Sequence, residues 1–436
     1  NLMSVGTTHS CALTPGGGAK CWGLAGSGRL GNGQGTGNYT SPVDVSGLTN
    51  AVAIDGGTAH TCALTSSGGV KCWGSNMFGE NGTGSARTTP TDVTGLTSGV
   101  AAISAGGWTS CALMVNGGVK CWGRNSNGQL GDGTTTDRST PVDVVTSSTD
   151  SSPLRGVTAI SAAFAFSDDT SHVCALMVNG GVKCWGFNTF GALGDGTTTS
   201  KSAPVNVVTS GTDQSQNILS GISAISGGKH MTCAVTNTGT AKCWGVSWPN
   251  ANSTTLGNGT EPTEAVPNGS GHKLGSKWPV DVLSSGTPSS SPVTLTGVSA
   301  VSVGYHHTCA RMSSGGVKCW GNGWNGDGAI AYRTTPVNVL TSGTNPNQNV
   351  LSGATAVSVG EYLTCVLFDT GAIQCWGHNG SGSVGDGTTT ERRNPVDVVG
   401  GFSFGADATA PTFVSAATNV AGSSVTLTFS ESLSAT

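Results

Sequence analysis

The chain is short of charge. Lysine, arginine, aspartate and glutamate make up 10% of its 436 residues, and the net charge is −4. It has no basic run, so the electrostatic footprint of a nucleic-acid binder is missing. No apolar stretch approaches the ~20 residues of a membrane-spanning helix. Helix-forming segments are scarce, whereas 70 residues are glycine, a composition that favours an all-β chain rich in turns. Common catalytic signatures are lacking too: no nucleophile elbow, P-loop, HExxH or acidic pair at a distinctive spacing occurs. No residues are therefore assigned to catalysis. The reading is of a non-enzymatic chain with no cofactor and no metal site.

One unit occurs seven times. Its first cysteines are Cys11, Cys62, Cys111, Cys174, Cys233, Cys309 and Cys365. Its second are Cys21, Cys72, Cys121, Cys184, Cys243, Cys319 and Cys375, and the seven pairs use all 14 cysteines. Between the members of a pair, two short apolar runs flank a turn, as in Cys62-Ala-Leu-Thr-Ser-Ser-Gly-Gly-Val-Lys-Cys72, which reads as a β-hairpin. If Thr65 pairs with Gly69, Leu64 faces Val70 and Cys62 faces Cys72, and cysteines opposite one another at a non-hydrogen-bonded site lie about 4.5 Å apart. The expectation is one cross-strand disulfide per hairpin. The alternatives are buried free thiols, or half of a four-ligand zinc site.

Each second cysteine precedes a tryptophan: Trp22, Trp73, Trp122, Trp185, Trp244, Trp320 and Trp376. A large ring at one repeat position suits packing between neighbouring sheets. A glycine-rich loop follows, carrying Asn32, Asn81, Asp132, Asp195, Asn258, Asp327 or Asp386 before glycine. Exchange of Asn with Asp fits a turn better than a calcium site. Prolines 42, 90, 141, 204, 279, 336 and 395 open a further apolar run and suit an outer edge strand. One unit is thus four strands, here named A to D: the Val-Ala-Ile-Ser type run, His-Thr-Cys-Ala-Leu, Val-Lys-Cys-Trp-Gly, and Pro-Val-Asp-Val. Seven such units predict an all-β fold, a seven-bladed β-propeller of four-stranded antiparallel blades.

The succession His-Thr-Cys-Ala-Leu, Gly-Gly-Val-Lys-Cys-Trp-Gly, Asn-x-x-Gly-Gln-Leu-Gly-Asp-Gly-Thr and Pro-Val resembles the regulator of chromosome condensation repeat, in the cysteine-paired form of secreted bacterial proteins. The resemblance runs from residue 1 to about 407. It implies a propeller used as a binding platform, with family members serving as exchange factors, chromatin binders, protein inhibitors or modules of surface proteins. Paired cysteines and the lack of a basic face argue against the chromatin and exchange roles.

Residues 1–407 are assigned to the propeller. Residues 408–436 read as a linker and the first strands of a truncated bacterial Ig-like domain, or an assembly tail. Gly400 to Gly405 could add a strand that closes the ring beside residues 2–6. The chain opens at Asn1 in mid-repeat without a signal-peptide pattern, as a mature or excised piece would.

Four tryptophans stand outside the repeat position. Of these, Trp248, Trp278 and Trp324 fall in units five and six with Tyr305 and Tyr332, near a long loop running from Val246 to about Lys277. These five aromatics are the candidate binding residues, with packing inside the long loop as the alternative. Trp108 is the fourth. His9, His60, His172 and His307 precede the first cysteine by two, and a structural hydrogen bond to a neighbouring blade is favoured over a metal ring. Asn-x-Ser/Thr sequons at Asn38, Asn81, Asn252, Asn258, Asn268 and Asn379 are mostly Asn-Gly turns. The functional expectation is an extracellular or cell-surface binding or structural module, with a protein partner or self-association through its tail. The alternatives are a soluble inhibitor or receptor, or a propeller that binds a surface glycan.

Overall fold

A computed structural model describes residues 1–163, 170–246, 256–259, 275–287, 290–400, 402, 413–418 and 425–429. Seven four-stranded antiparallel sheets follow one another in chain order, each ordered A-B-C-D. In blade 2 these strands are Ala51–Gly56, His60–Thr65, Val70–Gly74 and Arg87–Asp92, and the other blades repeat them. The hairpin register is the one the spacing implies: Leu64 opposes Val70 and Cys62 opposes Cys72. All seven cysteine pairs are disulfides, each with Cα atoms 4.1 Å apart. Closing a ten-residue loop contributes about 2–3 kcal/mol on the loop-entropy account.

Strand A lines a central channel, and residues opposite the first cysteine face it. They are Ser4, Asp55, Ser104, Ser161, Ser226, Ser302 and Ser358. Each side chain accepts a backbone N–H of the next blade, at 2.9–3.0 Å: Gly56 to Ser4, Ala105 to Asp55, Ala162 to Ser104, Gly227 to Ser161, Val303 to Ser226 and Val359 to Ser302. The N–H of Val5 bonds Ser358 and closes the circle. Strand A would otherwise be an unpaired sheet edge, so this ring satisfies donors that a buried edge would leave open.

The seven repeat tryptophans are fully buried, each lying against the hairpin of the preceding blade. Trp73, for example, shares a cluster with Cys11, Leu13 and Cys21. Its indole N–H reaches the Arg29 carbonyl at 2.9 Å in the C–D loop of blade 1. A glycine of that loop sits against each ring. A Cβ on Gly31 would come within 2.7 Å of Trp73 Nε1, and Gly31 has φ +69°, so this position requires glycine.

The repeat histidines cross the same seams. His9, His60, His172 and His307 direct Nε2 at Thr61, Ser110, Thr232 and Thr364 of the next blade, at 2.6–2.8 Å. Thr61, Ser110 and Thr232 in turn donate to loop carbonyls, so Nε2 of their histidines carries the proton. Among the described residues, Nδ1 of these four rings has no hydrogen-bond partner. Burial drives the pKa of His60 and His307 down to about 4 and that of His172 to about 3. The inter-blade reading of these histidines holds.

Strand D is the outer edge of every blade, and its proline lies within the strand rather than at its start. The C–D turn aspartates are satisfied internally. Asp132 accepts from Asn125, from the backbone and hydroxyl of Thr134, and from Arg138; Asp386 is bonded likewise by Asn379, Thr388 and Arg392. The guanidinium of Arg138 or Arg392 thus bonds one carboxylate oxygen of its turn aspartate. Sequon residues Asn81 and Asn379 are fully buried and donate to loop carbonyls, whereas Asn38 is exposed.

Insertions leave the ring at two ends. Those after strand D of blades 3, 4 and 6 close on bridges Val145–Pro153, Val208–Ile218 and Leu340–Val350, and that of blade 5 forms the hairpin Leu283–Thr287 with Ser290–Thr294. They share a face with the B–C turns. The long loop of blade 5 leaves from the opposite face, and most of it lies outside the described residues. The expected closing strand, Gly400 to Gly405, lies mostly outside the described residues, as do residues 403–412; Phe402 packs its ring 5.7 Å from that of Trp22. Further on, Phe413–Thr418 and Val425–Phe429 pair antiparallel as a two-stranded sheet of their own.

Candidate functional site

The A–B and C–D loops form one face of the ring, and a fixed backbone bond couples them. The residue after each Cys-Trp-Gly donates its N–H to the carbonyl three residues before the first cysteine. Examples are Arg124 to Trp108, Asn322 to His306 and His378 to Tyr362, all at 2.9 Å. On this constant frame the side chains differ from blade to blade. The A–B loop offers Thr7 and Thr8 in blade 1, but Lys229 and His230 in blade 5, Tyr305 and His306 in blade 6, and Glu361 and Tyr362 in blade 7.

Blades 5 to 7 bring these residues together. Lys229 is 3% exposed; its ammonium lies 4.0 Å from the Tyr305 ring centroid and donates to the Tyr305 hydroxyl. His306 sits between Tyr305 and Tyr362, with centroids 4.1 and 4.3 Å away. Trp324, in the C–D loop of blade 6, meets Tyr362 edge-on at 5.7 Å and His378 at 6.1 Å. Its indole N–H is buried without an acceptor among the described residues. Glu361 stands beside Tyr362, and burial raises its pKa to about 7 against the opposing pull of Lys229. Burial and the neighbouring Glu361 raise the Tyr362 pKa. Burial lowers that of His306 to about 3, helped by His307 and Lys229.

Smaller aromatic groups extend the face. Phe78 and Trp108 pack edge-on at 5.7 Å under the Arg124 guanidinium, and Phe187, Phe190 and His230 form a third cluster. His230 belongs to this face, since Met231 takes the strand position held by histidine in four other blades.

Of the five aromatics singled out in the sequence, Tyr305 and Trp324 join one cluster, through Tyr362. Trp278 stands apart on strand D of blade 5, its indole N–H donating to the Gly211 carbonyl at 2.8 Å beside Lys277. Tyr332 is 50% exposed and belongs to no ring cluster among the described residues. Trp248 lies outside the described residues. The sequence reading missed Lys229, His306, Glu361, Tyr362 and His378. Aligning the seven copies on their first cysteine would have found most of them: three and four residues before it, blades 5 to 7 carry charged and aromatic residues where other blades carry mainly small ones. Among the described residues no group of three or more His, Cys, Asp or Glu side chains could hold a metal ion.

Sequence profiles of the regulator of chromosome condensation (RCC1) repeat match residues 21–64, 116–164 and 179–235, and a second profile of the same repeat matches 51–80, 100–129 and 298–329. The ultraviolet-B receptor UVR8 of Arabidopsis thaliana is 28% identical over 404 residues, 90% of this chain and 80% of that protein. The mitochondrial RCC1 domain-containing protein RUG3 of the same plant is 31% identical over 232 residues, 52% of this chain and 44% of that protein. Among solved structures, human WBSCR16 superposes with a TM-score of 0.60 at 20% identity, covering 82% of this chain and 84% of that one. Prp20p of Saccharomyces cerevisiae does so with a TM-score of 0.61 at 17% identity, covering 92% and 87%. These last two likenesses concern the fold.

Proposed function

We propose that this chain, a seven-bladed propeller of RCC1 repeats, is a non-catalytic protein-binding module that engages its partner through the A–B/C–D face of blades 5 to 7. The observation that carries this is the cluster of Tyr305, His306, Trp324 and Tyr362, mounted on a backbone frame whose other copies hold mostly small side chains. Half-buried aromatic residues on a rigid frame supply contact area at little entropic cost. Prp20p, studied for binding to Gsp1p and histones, is a precedent for the fold as a protein-binding platform; the partner itself does not carry over at 17% identity.

Seven disulfides and no free cysteine support work in an oxidising compartment, outside the cell or at its surface. A structural role in a bacterial surface protein, with residues 408–436 opening an Ig-like domain or assembly tail, rests on the resemblance alone. The relatives reported above are eukaryotic.

The test compares two surface variants in capture of binding proteins from the protein's own source. One carries Tyr305→Ser with Trp324→Ser, the other Val115→Ser with Val178→Ser in the exposed B–C turns. The proposal expects a protein retained by wild type and by the second variant but lost, by tenfold or more, from the first. Equal retention by both variants would move the site elsewhere.

A further inference from the structure

We propose that the cavity at the seam between blades 7 and 1 seats a positively charged side chain of the partner protein, with the Glu361 carboxylate as its counter-ion. This rests on the reading of the face as a protein-binding surface and specifies the partner's chemistry. The cavity has a volume of about 150 Å³. Its walls include Thr7 and Thr8 from blade 1, and Glu361, Tyr362, His378 and Ser383 from blade 7.

Three features converge on a cation. First, among the described residues no donor is hydrogen-bonded or ion-paired to the Glu361 carboxylate. The charge that reaches it is Lys229, whose ammonium is engaged by Tyr305. A partly buried carboxylate without donors is unfavourable, and burial holds its pKa near 7. An arriving guanidinium or ammonium relieves both conditions, whereas an anion worsens them. Second, two aromatic rings line the same cavity as the carboxylate, Tyr362 and His378 with centroids 6.3 Å apart, and aromatic rings attract cations. Third, the volume is below the roughly 300 Å³ at which small-molecule sites begin, which fits the end of one side chain.

The probes are N-acetyl-arginine amide and N-acetyl-lysine amide, with N-acetyl-citrulline amide as the neutral control, titrated into the intact chain. The readout is the carboxyl-carbon NMR signal of Glu361, assigned by comparison with Glu361→Gln. The expected result is saturable binding of at least one cationic amide at about millimolar concentration, as befits one side chain cut from a larger interface. Citrulline should bind about tenfold or more weakly, and the cationic amides should lose as much on Glu361→Gln, read by their own chemical shifts. Citrulline amide binding to wild type as tightly as the better of the two cationic amides, or no binding of either cation up to 50 times the protein concentration at ~10 mM probe, would overturn the proposal without using any variant. Saturation at micromolar concentration would also overturn it, by marking a free small cation as the occupant. Each of these failures leaves the face-variant comparison above standing, because that experiment does not depend on Glu361.

Discussion

Around the channel, the residue opposite the first cysteine reads Ser, Asp, Ser, Ser, Ser, Ser, Ser from blade 1 to blade 7. In the next loop, four residues before that cysteine, the series reads Thr, Thr, Gly, Thr, Lys, Tyr, Glu. The two positions lie a few residues apart on the same stretch of chain. One bonds the next blade and has a single task, to accept that blade's N–H, so the seven copies converge on six hydroxyls and one carboxylate. The other sits on a frame already held by backbone bonds and is free to vary. Its departures from the repeat concentrate in blades 5 to 7. In a ring of equal units, chemistry is to be sought where the copies disagree inside a frame on which they agree.

Acid should strain the repeated part most. His60, His172 and His307 have native pKa values well below the ordinary value near 6.5 because they are buried. Between those values the unfolded chain binds more protons than the native one, so stability is intact above pH 6.5 and falls as pH drops through the window. Each ring should remove on the order of 3 kcal/mol by pH 4, giving a steep loss of denaturant midpoint. His60→Gln should flatten that slope by one share, and an unchanged slope would refute the assignment.

A tryptophan pair sharpens the contrast between repeat and face. Trp73→Ala should cost about 3–5 kcal/mol in urea unfolding, since a fully buried ring is lost from the seam. Trp324→Ala, on the face, should cost about 1 kcal/mol and act mainly on binding. Replacing both Cys62 and Cys72 by alanine should cost about 2–3 kcal/mol by the same measurement. A smaller loss than that of the disulfide is expected for Ser104→Ala. It leaves the Ala162 N–H without its acceptor, for about 1–2 kcal/mol, and Ser104→Asp should restore the bond, as Asp55 accepts the Ala105 N–H of the blade after its own.

Much of the repeated part was legible because it is governed by short-range spacing. A ten-residue interval with Gly-Gly inside it fixes the hairpin register, and the register puts cysteine opposite cysteine. Pro-Val-Asp-Val marks the edge, and the recurring tryptophan marks the seam. The serine ring was on view as a repeated residue, but its partner is always in the next blade, where no local pattern points. The face was less legible for the same reason. Lys229, Tyr305 and Glu361 come from three different units and meet only because the chain curves back on itself. The long loop and its tryptophans drew attention to composition, while Trp278 turned out to serve the rim and Trp248 lies outside the described residues.

One seam differs from all the others. From blade 1 to blade 7 each strand D runs on to strand A of the next blade, and the last seam is the one between blades 7 and 1. There the circle is fastened by Val5 to Ser358, by the Trp22 indole to the Ser383 carbonyl at 2.9 Å, and by Phe402 against Trp22. The Glu361 cavity spans that gap, with walls from both banks. Whatever fills it touches the first and last blades at once and works as a clasp. Its binding energy adds to the free energy needed to open the ring at this seam, and a ring that opens there lets its partner go.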